Sequence, residues 1–268
     1  MFRGEAELEA ELEDLMAVLS NANLESEMEM FAPAAPNVRR GPIFDVACTG
    51  CVGGQCIACP DGQCAACPVH GGRCRAVLMD AVLQAIDLAR TTADKVQAAI
   101  SVAPDKRDAE AKETARLFTF FFCHDPSRYI PWAGGPSGAT VIRRLRAVAD
   151  ELDGGRRILF ECRAAGGCNA FTIVGVHSTV FLCPPFWAEQ HLRGLPEVTR
   201  RAGTIIHEML HNLYDLEDFQ MGAAPHQVPT PRRFDAHCYE AFVMRVNKYG
   251  ADQTDVQACG LRPCDSRV

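Results

Sequence analysis

Gly203-Thr204-Ile205-Ile206-His207-Glu208-Met209-Leu210-His211-Asn212-Leu213 decides how this chain is read. The stretch is apolar and helix-compatible, and it contains the pattern H-E-x-x-H. Residues four apart lie on one face of an α-helix, so His207 and His211 can reach one ion. Neutral imidazole nitrogens suit Zn²⁺. Glu208, next to the first histidine, is placed to take a proton from a metal-activated water and pass it to a leaving amine. Ile205, Ile206, Met209, Leu210 and Leu213 make the flanks apolar. Three polar side chains on such a helix would be costly to bury alone, and a metal would satisfy them. Hydrolysis of peptide bonds is the chemistry this arrangement points to. The motif itself supplies only two protein ligands, and the third must come from elsewhere.

Composition narrows the alternatives. The chain has 268 residues, enough for one sizeable core with appendages. Its net charge of −7 argues against a general nucleic-acid binder, which needs a basic face. No apolar run approaches the length of a membrane span. Met1-Phe2-Arg3-Gly4-Glu5 does not open a secretory signal, which would pair a basic start with an apolar stretch. Yet there are 14 cysteines, a count that suits an oxidising compartment or metal binding. Together these predict secretion or export by a non-standard route.

Three regions are expected. Residues 1–40 form an acidic tail and linker. Leu8, Leu12, Leu15 and Leu19 mark a helical stripe opposite an acidic face, a candidate docking element for a partner. Ala32-Pro33-Ala34-Ala35-Pro36 reads as linker. Residues 41–75 are cysteine-rich. Gly54-Gln55-Cys56-Ile57-Ala58-Cys59-Pro60 recurs as Gly62-Gln63-Cys64-Ala65-Ala66-Cys67-Pro68. Its C-x-x-C pairs would either pinch a metal or staple the segment by disulfides.

Residues 76–268 are expected to form the catalytic domain. Helices are predicted over 76–101, from Asp105 to about Phe122, and over roughly 139–152. Arg143, Arg144 and Arg146 on the third read as a solvated face. From 157 to 183 the period changes to two, predicting short strands at 158–162, 170–174 and 179–182. The motif helix follows, then a Pro- and Gly-rich loop over about 215–233 and a last helix over roughly 236–249. The fold class is α+β: a mostly helical, zincin-like domain with a small sheet.

Arg201 to His211 resembles the active-site helix of deuterolysin-type aspzincins, a family that includes lysine-specific metallo-endopeptidases. Tyr129-Ile130-Pro131-Trp132-Ala133-Gly134, the stretch Cys162 to Cys168, and Val180-Phe181-Leu182-Cys183-Pro184-Pro185-Phe186-Trp187 are similar in the same order. The resemblance spans roughly residues 105–250. It implies a zinc endopeptidase acting on protein or peptide substrates, with His207 and His211 as ligands and Glu208 as general base. It further implies a ligating Asp, a Tyr that steadies the transition state, and a disulfide set including Cys162, Cys168 and Cys183. A lysine preference would draw on acidic residues such as Asp215, Glu217 and Asp218.

The Asp and Tyr would fall in Phe234-Asp235-Ala236-His237-Cys238-Tyr239. The family has Asp three residues before Tyr, whereas this chain has Ala236 there and Asp235 one residue earlier. In a helix starting near Asp235, the residues Asp235, Cys238, Tyr239, Phe242 and Val246 share a face, with His237 and Glu240 off it. Asp235 is therefore the expected third ligand, with His237 and then Glu240 as alternatives, and Tyr239 the expected catalytic tyrosine. The Asp235 carboxylate could instead cap the helix. The rival functional reading is a metal-bearing docking protein with a vestigial site. A further reading makes residues 1–75 a pro-segment or export tag.

Overall fold

The structure is a computed structural model. It describes residues 42–48, 51–52, 55–56, 73–130, 135–163, 169–173, 176–187, 195–216 and 235–250. The chain divides into Met1–Arg40 and Gly41–Val268, and the described residues all belong to the second unit. The expected acidic helix, the linker, most of the cysteine repeat, the 217–234 loop and the C-terminal cysteines lie outside the described residues.

Strands β1 (Phe44–Cys48), β2 (Cys51–Val52) and β3 (Gln55–Cys56) come first. β2 and β3 pair antiparallel, with Cys51 opposite Cys56. Helix α1 (Arg73–Ser101) then runs through the centre. Leu78, Ala81, Val82, Ala85, Ala89, Ala93 and Val96 on its inner stripe are almost wholly buried. Alanine at four of these positions keeps the stripe flat, so neighbouring helices can pack closely on it. A short 3₁₀ turn, Pro104–Lys106, leads to α2 (Ala109–Phe122). Asp108 caps α2 by accepting from the Ala111 N–H at 2.8 Å, and Cys123 ends it in the left-handed region with φ 68°.

The expected turn after α2 is a small antiparallel ladder of β4 (Tyr129–Ile130) and β5 (Gly135–Pro136). Helix α3 (Ser137–Asp150) follows, and a wide turn over Glu151–Gly155 closes it with Gly154 at φ 99°. The main sheet adds β6 (Ile158–Cys162), β7 (Ala170–Phe171) and β8 (Thr179–Leu182). Its order is β1-β6-β8-β7, parallel except for the antiparallel β7–β8 edge. The short α4 (Pro184–Trp187), the motif helix α5 (Glu197–Tyr214) and α6 (Ala236–Val246) complete the domain.

The architecture is α+β, helices α1, α2, α3, α5 and α6 packing together beside a small sheet. Two differences from the sequence reading have physical causes. The strand Phe44–Cys48 was not anticipated: it pairs in register with Ile158–Cys162, a partner far along the chain, and local pattern carries no trace of such pairing. Arg144, expected on a solvated face, is buried. Its guanidinium lies 5.2 Å from the Tyr214 ring centroid and donates from Nη1 to the Tyr239 hydroxyl at 3.0 Å. No helix among the described residues is long and apolar enough to cross a membrane.

Candidate metal centre

Helix α5 is a core helix, buried at every position from Thr199 to Leu210. Ile205, Ile206 and Leu210 are fully buried, which fixes the rotation of the helix and hence where His207 and Glu208 project. Two further ties hold it. At its N-terminal half, Arg201 donates from Nε to the Phe186 carbonyl at 3.0 Å and from Nη2 to the Trp187 carbonyl at 3.1 Å. Arg200 Nη2 also reaches the Phe186 carbonyl, at 2.9 Å. At its C-terminal end, Asn212 Nδ2 donates to the Val176 carbonyl at 3.2 Å, next to β8. Asp215 then stops the helix at φ 47°, its N–H bonded to the His211 carbonyl.

The two motif histidines converge. His207 Nε2 and His211 Nε2 are 3.0 Å apart. Their outer nitrogens face oxygens. His211 Nδ1 meets the Leu216 carbonyl, which can only accept, so this nitrogen carries the proton and Nε2 carries the lone pair. His207 Nδ1 lies 3.3 Å from Glu240 Oε2. With Nε2 unprotonated on both rings, two lone pairs would face each other at 3.0 Å, an arrangement that a shared cation would satisfy. Two imidazoles about 2.0–2.1 Å from one tetrahedral Zn²⁺ would have their nitrogens about 3.3 Å apart. The pair therefore fits zinc.

The start of α6 forms the other wall. Asp235 is 1% exposed and caps the helix, Oδ1 accepting from the His237 N–H at 3.0 Å. The helix is buried on two stripes. Tyr239 and Phe242 face α2, with Phe122 centroids at 5.1 Å from each. His237, Glu240 and Met244, spaced three and four apart, face α5. The His237 ring centroid is 4.5 Å from that of His207. Among the described residues, the group offering three ligand atoms within 4.8 Å of one another is His207, His237 and Glu240. The structure thus sets His207 against His211 through Nε2 and groups it with His237 and Glu240, and it gives Asp235 the capping contact. Tyr239 is as deeply buried as Glu208, and its hydroxyl takes the Arg144 hydrogen bond while keeping its own proton to donate.

Close approach of α6 is set by Gly203, one turn before His207. A Cβ there would stand 2.5 Å from Met244 Cε and 2.9 Å from Glu240 Oε1. Only a residue without a side chain leaves the Glu240 carboxylate room beneath His207. This glycine was read as part of the motif stretch; its packing role was not legible from sequence.

Residues 107–227 match the model of the lysine-specific metallo-endopeptidase family, the aspzincins. Over that segment the chain is similar to the aspzincins. Aspzincins are zinc metallo-endopeptidases, so the activity, the cofactor and a peptide substrate follow from the match. The aspzincin match contains His207, Glu208 and His211 and ends before α6. A search of curated proteins gave no match.

Proposed function

We propose that this chain is an active endopeptidase in which Glu208 is the general base. The carrying observation is the pair of histidine Nε2 atoms 3.0 Å apart, each backed by an oxygen on Nδ1. His207 and His211 would hold zinc, with a third ligand from the start of α6, where Asp235, His237 and Glu240 stand. Bound there, zinc supplies a Lewis acid that polarises the scissile carbonyl and makes water a better nucleophile at neutral pH. Glu208, one residue from His207 on the same buried helix, removes the water's proton and returns it to the departing amine. Tyr239 would donate a hydrogen bond from its hydroxyl to the developing oxyanion, with Arg144 donating to the phenol oxygen and holding it in place.

A preference for lysine belongs to the same reading. It is supported by the family description and by the acidic residues that follow α5, Asp215, Glu217 and Asp218. Export to an oxidising compartment is supported by the count of 14 cysteines in the chain. The acidic N-terminal segment would dock a partner during that export.

The test is zinc per chain and casein hydrolysis, with and without a chelator. Zinc bound at His207 and His211, with chelator-sensitive hydrolysis, is expected. Protein that binds zinc yet leaves casein and a peptide library intact would sink the activity. A library cleaved without enrichment for Lys would remove the lysine preference alone.

A further inference from the structure

We propose that Glu240 is a positioning residue for the zinc: its carboxylate backs the His207 imidazole on the side away from the ion and is not itself a ligand. The inference rests on the zinc reading above and narrows it, because it takes Glu240 out of the three candidates at the start of α6. Residue 240 lies beyond the matched segment 107–227, so the match assigns it no role.

Which nitrogen a group stands on decides what it can do. Nδ1 and Nε2 leave an imidazole in divergent directions and have separate partners. His207 turns Nε2 toward His211 Nε2, 3.0 Å away, and a shared ion would sit there. Glu240 Oε2 is 3.3 Å from the other nitrogen, Nδ1. An ion held by both Nε2 atoms would lie about 2.0–2.1 Å beyond each of them. The His207 ring would then stand between the ion and this carboxylate. Glu240 is grouped with His207 by distance, yet on the wrong side of the ring to ligate.

Packing holds the carboxylate in that place. Gly203 lies four residues, about one turn, before His207 on α5. A Cβ at 203 would stand 2.9 Å from Glu240 Oε1. One carboxylate oxygen thus rests over the glycine and the other reaches His207. The contact is shielded, with the His207 side chain 7% and the Glu240 side chain 22% exposed, unlike the surface ion pairs that solvent screens. A carboxylate behind a ligating histidine draws the proton to the outer nitrogen, leaves the lone pair on the inner one, fixes the ring and raises its basicity. On His211 the Leu216 carbonyl has the corresponding place. The two motif histidines are therefore backed differently, His207 by a carboxylate and His211 by a neutral carbonyl.

The test uses the full chain. Zinc affinity is measured by chelator competition. Co²⁺ is then exchanged into the site, where its visible absorption reports the number and kind of ligands. Cobalt–thiolate bands in the near ultraviolet separate any metal held by cysteines. Glu240→Gln keeps the size of the side chain and removes the charge. Zinc should weaken about 10–100-fold, the range for a carboxylate behind a ligand, while the visible cobalt bands keep their positions and intensity. Urea melts of the metal-free protein should match the parent, which a loss of packing alone would not do. If Glu240→Gln does not fold, Glu240→Asp takes its place. That variant draws the carboxylate back from His207, and the same pairing of weaker zinc with unshifted cobalt bands is expected. Cobalt bands that change as for a lost ligand would make Glu240 part of the ligand set and overturn the assignment. So would zinc affinity within about twofold of the parent, well short of that range. Unchanged zinc in His207→Ala would instead show that the metal sits elsewhere, and the zinc reading itself would fall.

Discussion

Glu240 Oε2 stands 3.3 Å from His207 Nδ1 in a space that exists because residue 203 has no side chain. Helix α6 therefore reaches the metal site through a contact prepared one turn earlier on α5. Gly203→Ala puts a methyl where Met244 Cε and Glu240 Oε1 now lie. Both are tips of flexible side chains, so the helix can survive the change at a cost of about 1–3 kcal/mol. The Glu240 carboxylate must move away from His207. Zinc affinity should fall along with thermal stability, and a variant that lost stability but bound zinc like the parent would separate the two roles.

Glu208→Gln keeps the shape of the side chain and removes the base. Zinc content should be unchanged and kcat lowered by at least about 10²–10⁴-fold. Atomic absorption beside peptide hydrolysis makes the comparison. Hydrolysis near the parental rate would rule out Glu208 as the base.

Tyr239→Phe removes a proton donor and also the oxygen that accepts from Arg144. A transition-state role predicts a kcat deficit with KM little changed. A stability loss of about 1 kcal/mol from the broken hydrogen bond is expected beside it. Steady-state kinetics and urea melts read the two effects separately, and a pure stability effect would leave Tyr239 as an anchor between α6 and α3.

Away from the site, the Arg107 guanidinium holds the Asp125 carboxyl well below the usual carboxylate range, with Ser127 adding hydrogen bonds. A depressed folded value means that this stabilisation is present above the unfolded value of about 3.9 and is lost as pH falls through the folded value. Arg107 is 3% exposed but Asp125 is 39% exposed, so solvent screening limits the contribution to about 1 kcal/mol. Asp125→Asn should lower stability at pH 7 and converge with the parent in strong acid. Urea melts at several pH values would show it, and parallel curves across the whole range would contradict it.

The sequence exposed the parts of this fold that are periodic and local. His207, Glu208 and His211 were legible because four-residue spacing on an apolar helix has few other uses. The strand at Ile158–Cys162 was legible from its alternation, whereas Thr179–Leu182, expected to alternate as well, is buried at every position. The far wall of the site was not legible. The stripe through Asp235, Cys238, Tyr239, Phe242 and Val246 is buried as periodicity suggested. Yet α6 is covered on two sides, and the polar groups that meet His207 lie on the second stripe, through His237 and Glu240. Helical periodicity finds a buried face; it does not say which neighbour covers it. Arg144 escaped for a related reason, since its burial depends on aromatic rings from α5 and α6.

Strand β1 has a consequence for where this protein tolerates cutting. Phe44 packs edge-on against Phe160 at 5.5 Å, and its strand satisfies one whole side of Ile158–Cys162. Removing residues 1–75 would strip that side bare and leave an adhesive row of backbone donors and acceptors. A proteolytic maturation that releases a sound enzyme has to act upstream of Phe44, and a trimmed version meant for crystallisation should begin there as well.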